Sequence, residues 1–167
     1  MAFALRYPQR TSALILVGAG LDGYDYPEEA FEWWGDFVGA LQAGDTEQGE
    51  QVFIQNALNS PITPLDEAVR ARIQALMADY TWQHYVDGTL LWKGIDPLLV
   101  ERLAEVTCPT LVITGEGDTP VTHAIAKALV GGMPDARSVV IPDAAHLVNL
   151  QQPERFNETV ISFLMNA

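Results

Sequence analysis

The 167-residue sequence predicts an α/β fold, a parallel sheet covered by helices, from three observations. The C-terminal third alternates strand-like and helix-like patterns: residues 110–114, 121–130, 138–141 and 153–164. The strand-like runs are continuously apolar rather than alternating, as strands buried on both faces are. An earlier run of the same kind, residues 12–17, is separated from the next by a long stretch with helical spacing only. Strand, crossover helix and strand in sequence give a parallel sheet, with all strand C-termini on one rim.

Each element has a local reason. Residues 1–7 are helix-compatible, and Pro8 ends them because the residue before a proline is pushed out of the helical region. Residues 12–17, Ser-Ala-Leu-Ile-Leu-Val, read as a buried strand closed by Gly18-Ala19-Gly20. Asp25 is placed to cap a helix entered through Pro27, with Glu28 and Glu29 at its positive end and Phe31, Trp34, Phe37, Val38 and Leu41 at helical spacing. A second helix is predicted over residues 46–58. A long one runs from Thr63-Pro64 to near Gly88, with Leu65, Val69, Ile73, Leu76 and Tyr80 on one face. Asp96-Pro97 opens a short one. The division that results is a sheet-bearing core of residues 1–20 and 100–167, interrupted by an all-helical insertion over residues 21–99.

Nine basic against 22 acidic residues give a formal net charge of −13, which repels phosphate backbones and anionic membranes. Nucleic-acid and membrane partners are therefore not expected, and the acidic surface serves solubility. No run is long enough to span a bilayer, and the N-terminus has no signal-peptide pattern. Cys108 is the single cysteine, which fits a reducing cytoplasm.

Two loops leave the C-terminal ends of predicted strands: Gly115-Glu-Gly-Asp118-Thr-Pro120 and Pro142-Asp-Ala-Ala-His146-Leu-Val. A carboxylate and an imidazole on one rim suit a paired base, the acid fixing the tautomer and stabilising the imidazolium. Singly, each has a duller explanation: an aspartate in a Gly-rich turn serves turn hydrogen bonds, and a histidine after a strand is usually a loop residue. Asp22, after the first strand, is a weaker candidate for the acid. Asp143 fits a turn-shaping role; His84 and His123 are each open to lining a pocket or, more commonly, to facing solvent. Trp33, Trp34, Trp82 and Trp92 all fall in the helical insertion, as packing residues or as walls of an apolar substrate pocket.

The segment Cys108-Pro-Thr-Leu-Val-Ile-Thr-Gly-Glu-Gly-Asp118 resembles the strand that delivers the triad acid in α/β-hydrolases. Val-Val-Ile-Pro-Asp-Ala-Ala-His146, followed by Asn-Leu-Gln-Gln-Pro-Glu-Arg-Phe-Asn, is similar to that family's last strand, histidine loop and closing helix. Residues 2–18 are similar to the helix end and strand after its nucleophile turn. The resemblance implies the C-terminal part of such a sheet, about three parallel strands with flanking helices, and makes residues 21–99 a lid, or cap. It assigns Asp118 as triad acid and His146 as general base, without cofactor or metal. It also implies hydrolysis of a small, largely apolar substrate, an ester or lactone first, with carbon–halogen or epoxide cleavage the alternative in relatives whose nucleophile is aspartate. Gln151 or Gln152 stands where relatives often have glutamate.

The family's nucleophile sits on a Gly-x-Ser-x-Gly turn. None of the serines, at positions 12, 60, 138 and 162, lies in such a turn. The oxyanion donors that accompany the turn are missing as well. The sequence thus reads as a truncated hydrolase, inactive alone. The strand at 12–17 would expose one edge, so self-association, or a non-catalytic assembly role, is the second expectation.

Overall fold

The computed structural model describes residues 1–87 and 96–167. Helix α1 (Ala2–Arg6) stops before Pro8, and a turn over Pro8–Arg10 leads into strand β1 (Leu14–Val17). A 3₁₀ turn over Glu28–Phe31 precedes α2 (Trp34–Gln42), so the helix predicted from Pro27 is split in two. Its expected cap is not used either: Pro27 flanks the 3₁₀ turn, and no side chain caps it. In contrast, Asp45 caps α3 (Thr46–Phe53) by accepting from the Gln48 N–H at 3.0 Å. A π turn, Ile54–Leu58, then carries that helix to its predicted end.

Asp66 caps α4 (Glu67–Met77), its Oδ1 2.7 Å from the Val69 nitrogen. The long helix expected to reach Gly88 breaks after Met77. Trp82 takes a left-handed backbone, φ 56°, which a helix of L-residues does not tolerate, and the chain restarts as α5 (Gln83–Val86). A 3₁₀ helix, Leu99–Glu105, leads back to the sheet. There follow β2 (Thr110–Gly115), α6 (Pro120–Gly132), β3 (Ala136–Ile141), α7 (Val148–Gln151) and α8 (Pro153–Leu164). Thr119 caps α6, and Pro120 and Pro153 stand in the first turns of α6 and α8, where a missing N–H costs nothing.

The sheet has the order β1-β2-β3, all parallel, with Leu14 opposite Thr110 and Thr110 opposite Ala136. Cover on both faces explains the apolar run of β2, which is buried throughout, whereas β3, expected to be buried, lies at a sheet edge with Val140 51% exposed. Leu14, Leu16 and Val112 pack with Ile125, Ala126 and Leu129 of α6, while Ile15, Leu111, Ile113 and Ile141 pack with Phe156 and Phe163 of α8. Leu111, Val112 and Ile113 are at most 1% exposed, and each such burial is worth about 1.5–3 kcal/mol.

The helices from α2 to α5 form two further clusters. Ile54, Leu58, Leu65, Val69 and Ile73 pack together and are touched by Leu147 and Leu150, beside the loop after β3. Phe37, Leu41 and Trp82 form the other, surrounded by Trp33, Trp34, Phe53 and Tyr85. Burial there, with Tyr80 nearby, pushes the Tyr85 phenol above its ordinary value of 10.0. Among the described residues no helix is long and apolar enough to cross a membrane.

Candidate active site

Because the three strands are parallel, the loops after β1, β2 and β3 meet on one rim. The loop after β2 folds back tightly: the Asp118 N–H donates to the Gly115 carbonyl at 3.1 Å, and the Gly115 N–H donates to Asp118 Oδ2 at 3.0 Å. This leaves Oδ1 facing the loop after β3, 2.9 Å from His146 Nδ1. The Asp118 side chain is 0% exposed and that of His146 35%. An ionised carboxylate only accepts, so the hydrogen-bond network assigns the proton to Nδ1 and leaves the Nε2 lone pair outward. Nε2 makes no hydrogen bond among the described residues.

Two glycines make this approach possible. A Cβ on Gly115 would overlap the carbonyl oxygens of Ala144 and Ala145, immediately before His146. Gly18, with φ +51°, ends β1 under the imidazole: a Cβ there would lie 2.8 Å from His146 Cε1 and 3.0 Å from Nδ1.

Beside His146 opens a cleft of about 580 Å³, within the range of small-molecule sites. Its wall comes from the turn after β1 (Gly18, Ala19, Gly20), from Tyr26, Phe31 and Trp33, and from the start of α6. Glu29 is the one charged side chain of that wall among the described residues, His146 aside.

The other residues singled out from sequence separate clearly. Trp33 lines the cleft. Trp34 and Trp82 do not belong to its lining; they pack in the aromatic cluster with Phe37 and Tyr85, and Trp82 is 3% exposed. Trp92 lies outside the described residues. Asp143 faces Arg155 at 3.4 Å and has φ 56°, a turn conformation. Asp22 accepts the Val100 N–H through its backbone carbonyl. His84 is exposed on α5, and His123 lies in α6 away from the cleft lining.

Ser12 and Cys108 precede β1 and β2, at the opposite rim. Ser138 is inside β3, opposite Val112, rather than at its start. Ser60 is 3% exposed, and its oxygen accepts from the Ile62 and Thr63 amides. Among the described residues no group of three or more His, Cys, Asp or Glu could hold a metal ion.

Sequence reasoning gave no role to two contributors, Gln151, noted only as a departure from relatives, and Tyr26. Gln151 accepts from the Ala145 N–H at 2.8 Å and donates to the Thr63 carbonyl at 3.3 Å, tying the histidine loop to the segment before α4. Tyr26, whose hydroxyl accepts from the Leu21 N–H at 3.0 Å, turns that oxygen to the cleft floor at Gly20. A lone glutamine or tyrosine carries no local signal of such distant contacts.

The chain is similar to known proteins in sequence and in fold. The model of the alpha/beta hydrolase family matches residues 2–159. A 2-hydroxy-6-oxononadienedioate/2-hydroxy-6-oxononatrienedioate hydrolase of Cupriavidus pinatubonensis is 27% identical over 99% of this chain and 58% of its own length. The enzyme of the same name from Comamonas testosteroni is 30% identical over 98% and 58%. The crystal structure of a hydrolase from Pseudomonas aeruginosa superposes with a TM-score of 0.72 at 28% identity, covering 98% of this chain and 59% of that one. The chain thus spans under two thirds of the length of these relatives. With the family model matched across nearly all of its residues and three parallel strands between helices, the chain belongs to the α/β-hydrolase family.

Proposed function

We propose that these residues are the acid–base portion of a hydrolase that cleaves a small, largely apolar ester or lactone through a nucleophile–His–Asp triad. One observation carries the reading: Asp118 Oδ1 lies 2.9 Å from His146 Nδ1, with the imidazole opening into an apolar cleft. In this reading His146 Nε2 takes the proton of a nucleophile as it attacks the substrate carbonyl, then returns it to the departing oxygen. Asp118, dry and already bonded to Gly115, holds the ring in place and stabilises the imidazolium between those steps. The helices within residues 21–99 act as the lid, with Trp33 in its wall.

The named relatives support hydrolase chemistry. Their substrate name describes a dioate, whereas Glu29 in the cleft disfavours carboxylates, so an uncharged substrate is the better match here. In this reading the nucleophile, and the backbone oxyanion donors that accompany its turn, come from outside these 167 residues: no serine lies in a Gly-x-Ser-x-Gly turn, and among the described residues neither a serine nor Cys108 lines the cleft. A cytoplasmic setting, in which Cys108 stays a free thiol, is part of this reading.

The test uses the product of the full reading frame with 4-nitrophenyl butyrate and a small lactone. His146→Ala should lower kcat by about 10³-fold or more; a variant as fast as the parent discards the triad. The 167-residue chain alone should release no nitrophenolate burst, and a burst would reveal a nucleophile within it.

A second reading rests on the position of β1 at an edge of the sheet among the described residues, with Val17 36% exposed. Such an edge can pair with another strand, making the chain an assembly module. A monomer by light scattering at high protein concentration would count against self-association.

A further inference from the structure

We propose that Tyr26 is a substrate-binding residue that donates its phenolic hydrogen to the carbonyl oxygen of the ligand in the His146 cleft; this rests on the reading of that cleft as the substrate site. A phenol has one hydrogen to give and lone pairs to share. The Leu21 N–H, 3.0 Å away, occupies the acceptor side of Tyr26 Oη. The donor side has no acceptor among the described residues. Tyr26 is half-buried in the wall of a cleft that opens to solvent, so this hydrogen is available to a ligand that enters and displaces water. That wall includes Phe31, Val121 and Ile125.

The hydroxyl is also held in position. The Tyr26 ring stands edge-on to Tyr24 at 5.3 Å and tilted against Phe31 at 5.4 Å, so two aromatic contacts and one hydrogen bond fix it. It shares a platform with the proposed base. A Cβ on Gly18 would lie 2.8 Å from His146 Cε1, and a Cβ on Gly20 would lie 3.1 Å from Tyr26 Oη. The imidazole and the hydroxyl therefore stand over two glycines separated by one residue, whose Cα atoms are about 7 Å apart at most. A small ligand resting on this turn can point its carbonyl oxygen at Tyr26 while its carbonyl carbon faces the His146 side. The ligand class this selects is an uncharged aryl or alkyl compound bearing one carbonyl acceptor.

The test titrates the 167-residue chain with 4-phenyl-2-butanone and with butylbenzene, which has a similar apolar body but no oxygen. Binding is followed by the amide shifts of Gly18 and Gly20 in ¹H–¹⁵N spectra. Tyr26→Phe keeps both ring contacts and removes only the hydroxyl. It should weaken ketone binding by about 3- to 10-fold and leave butylbenzene within about twofold. Any disturbance from freeing the Leu21 N–H affects both ligands, so the ratio isolates the donor. Equal changes for the two ligands, or an unchanged ketone affinity, would overturn the Tyr26 assignment while leaving the cleft as a binding site. Failure of both ligands to move the two glycine amides in the parent chain would overturn the assignment together with the reading of the cleft on which it rests.

Discussion

Around Asp118 the chain is held by a handful of directional contacts, whereas between α2 and α5 it is held by rings that touch on every side. At the rim, one carboxylate accepts from Gly115 and meets His146, and two glycines permit backbone and ring to approach without a Cβ between them. In the helical part, Phe37 is 0% exposed and meets Trp33, Trp34, Phe53, Trp82 and Tyr85 with ring centroids 5.1–5.9 Å apart. Directional contacts fix an atom's position to a fraction of an ångström; ring packing fixes volume and tolerates small rotations. The first suits chemistry and the second suits a wall, so the two regions should respond differently to the same insult.

The largest expected effect is on stability alone. Phe37→Ala empties the centre of the aromatic cluster and should cost about 3–5 kcal/mol in urea unfolding. It should nevertheless leave the low-field Nδ1–H proton resonance of His146, since Phe37 is not part of the rim or the cleft lining. Loss of that resonance in a still-folded variant would show that rim and helices are one unit, and would break the comparison.

The same contrast explains what could be read from the sequence. β1, β2, β3, α6 and α8 were legible because each is specified by its own run of residues: short apolar stretches for the strands and helical patterns over residues 121–130 and 153–164 for the helices. Asp118 and His146 were legible as a pair because parallel strands deliver their loops to one rim. The break at Trp82 was not, because a helical apolar spacing continues through Leu76 and Tyr80 while tertiary packing of the Trp82 ring overrides it. Nor could sequence show that Trp33 reaches both the cleft and the aromatic cluster while its neighbour Trp34 packs in the cluster without lining the cleft. Gln151 was invisible for a simpler reason, since its partner Thr63 is 88 residues away.

Gly115→Ala should strike the rim in the opposite way to Phe37→Ala. The added methyl meets two backbone carbonyls, of Ala144 and Ala145, which cannot rotate aside as a side chain would. A stability loss of about 1–3 kcal/mol is expected. The His146 resonance should shift or vanish even where the fold survives, because the displaced loop is the one that carries the imidazole. A variant that keeps both stability and resonance would mean that the loop after β3 yields easily, and that directional contacts do not define this rim.

The smallest effect tests the seam between the regions. Gln151 bonds the Ala145 amide with one end and the Thr63 carbonyl with the other. Ala145 is 1% exposed, so Gln151→Ala strands a buried N–H and should cost about 1–3 kcal/mol. Gln151→Glu divides the two bonds. A carboxylate still accepts from Ala145 but has no hydrogen for Thr63, and its charge faces that carbonyl oxygen unfavourably. If the histidine loop is held chiefly from its own side, the glutamate variant should keep the His146 resonance unchanged and lose only about 0.5–1.5 kcal/mol. If the helical segment holds it, both variants should disturb the resonance alike, and the wall would then share in positioning the base.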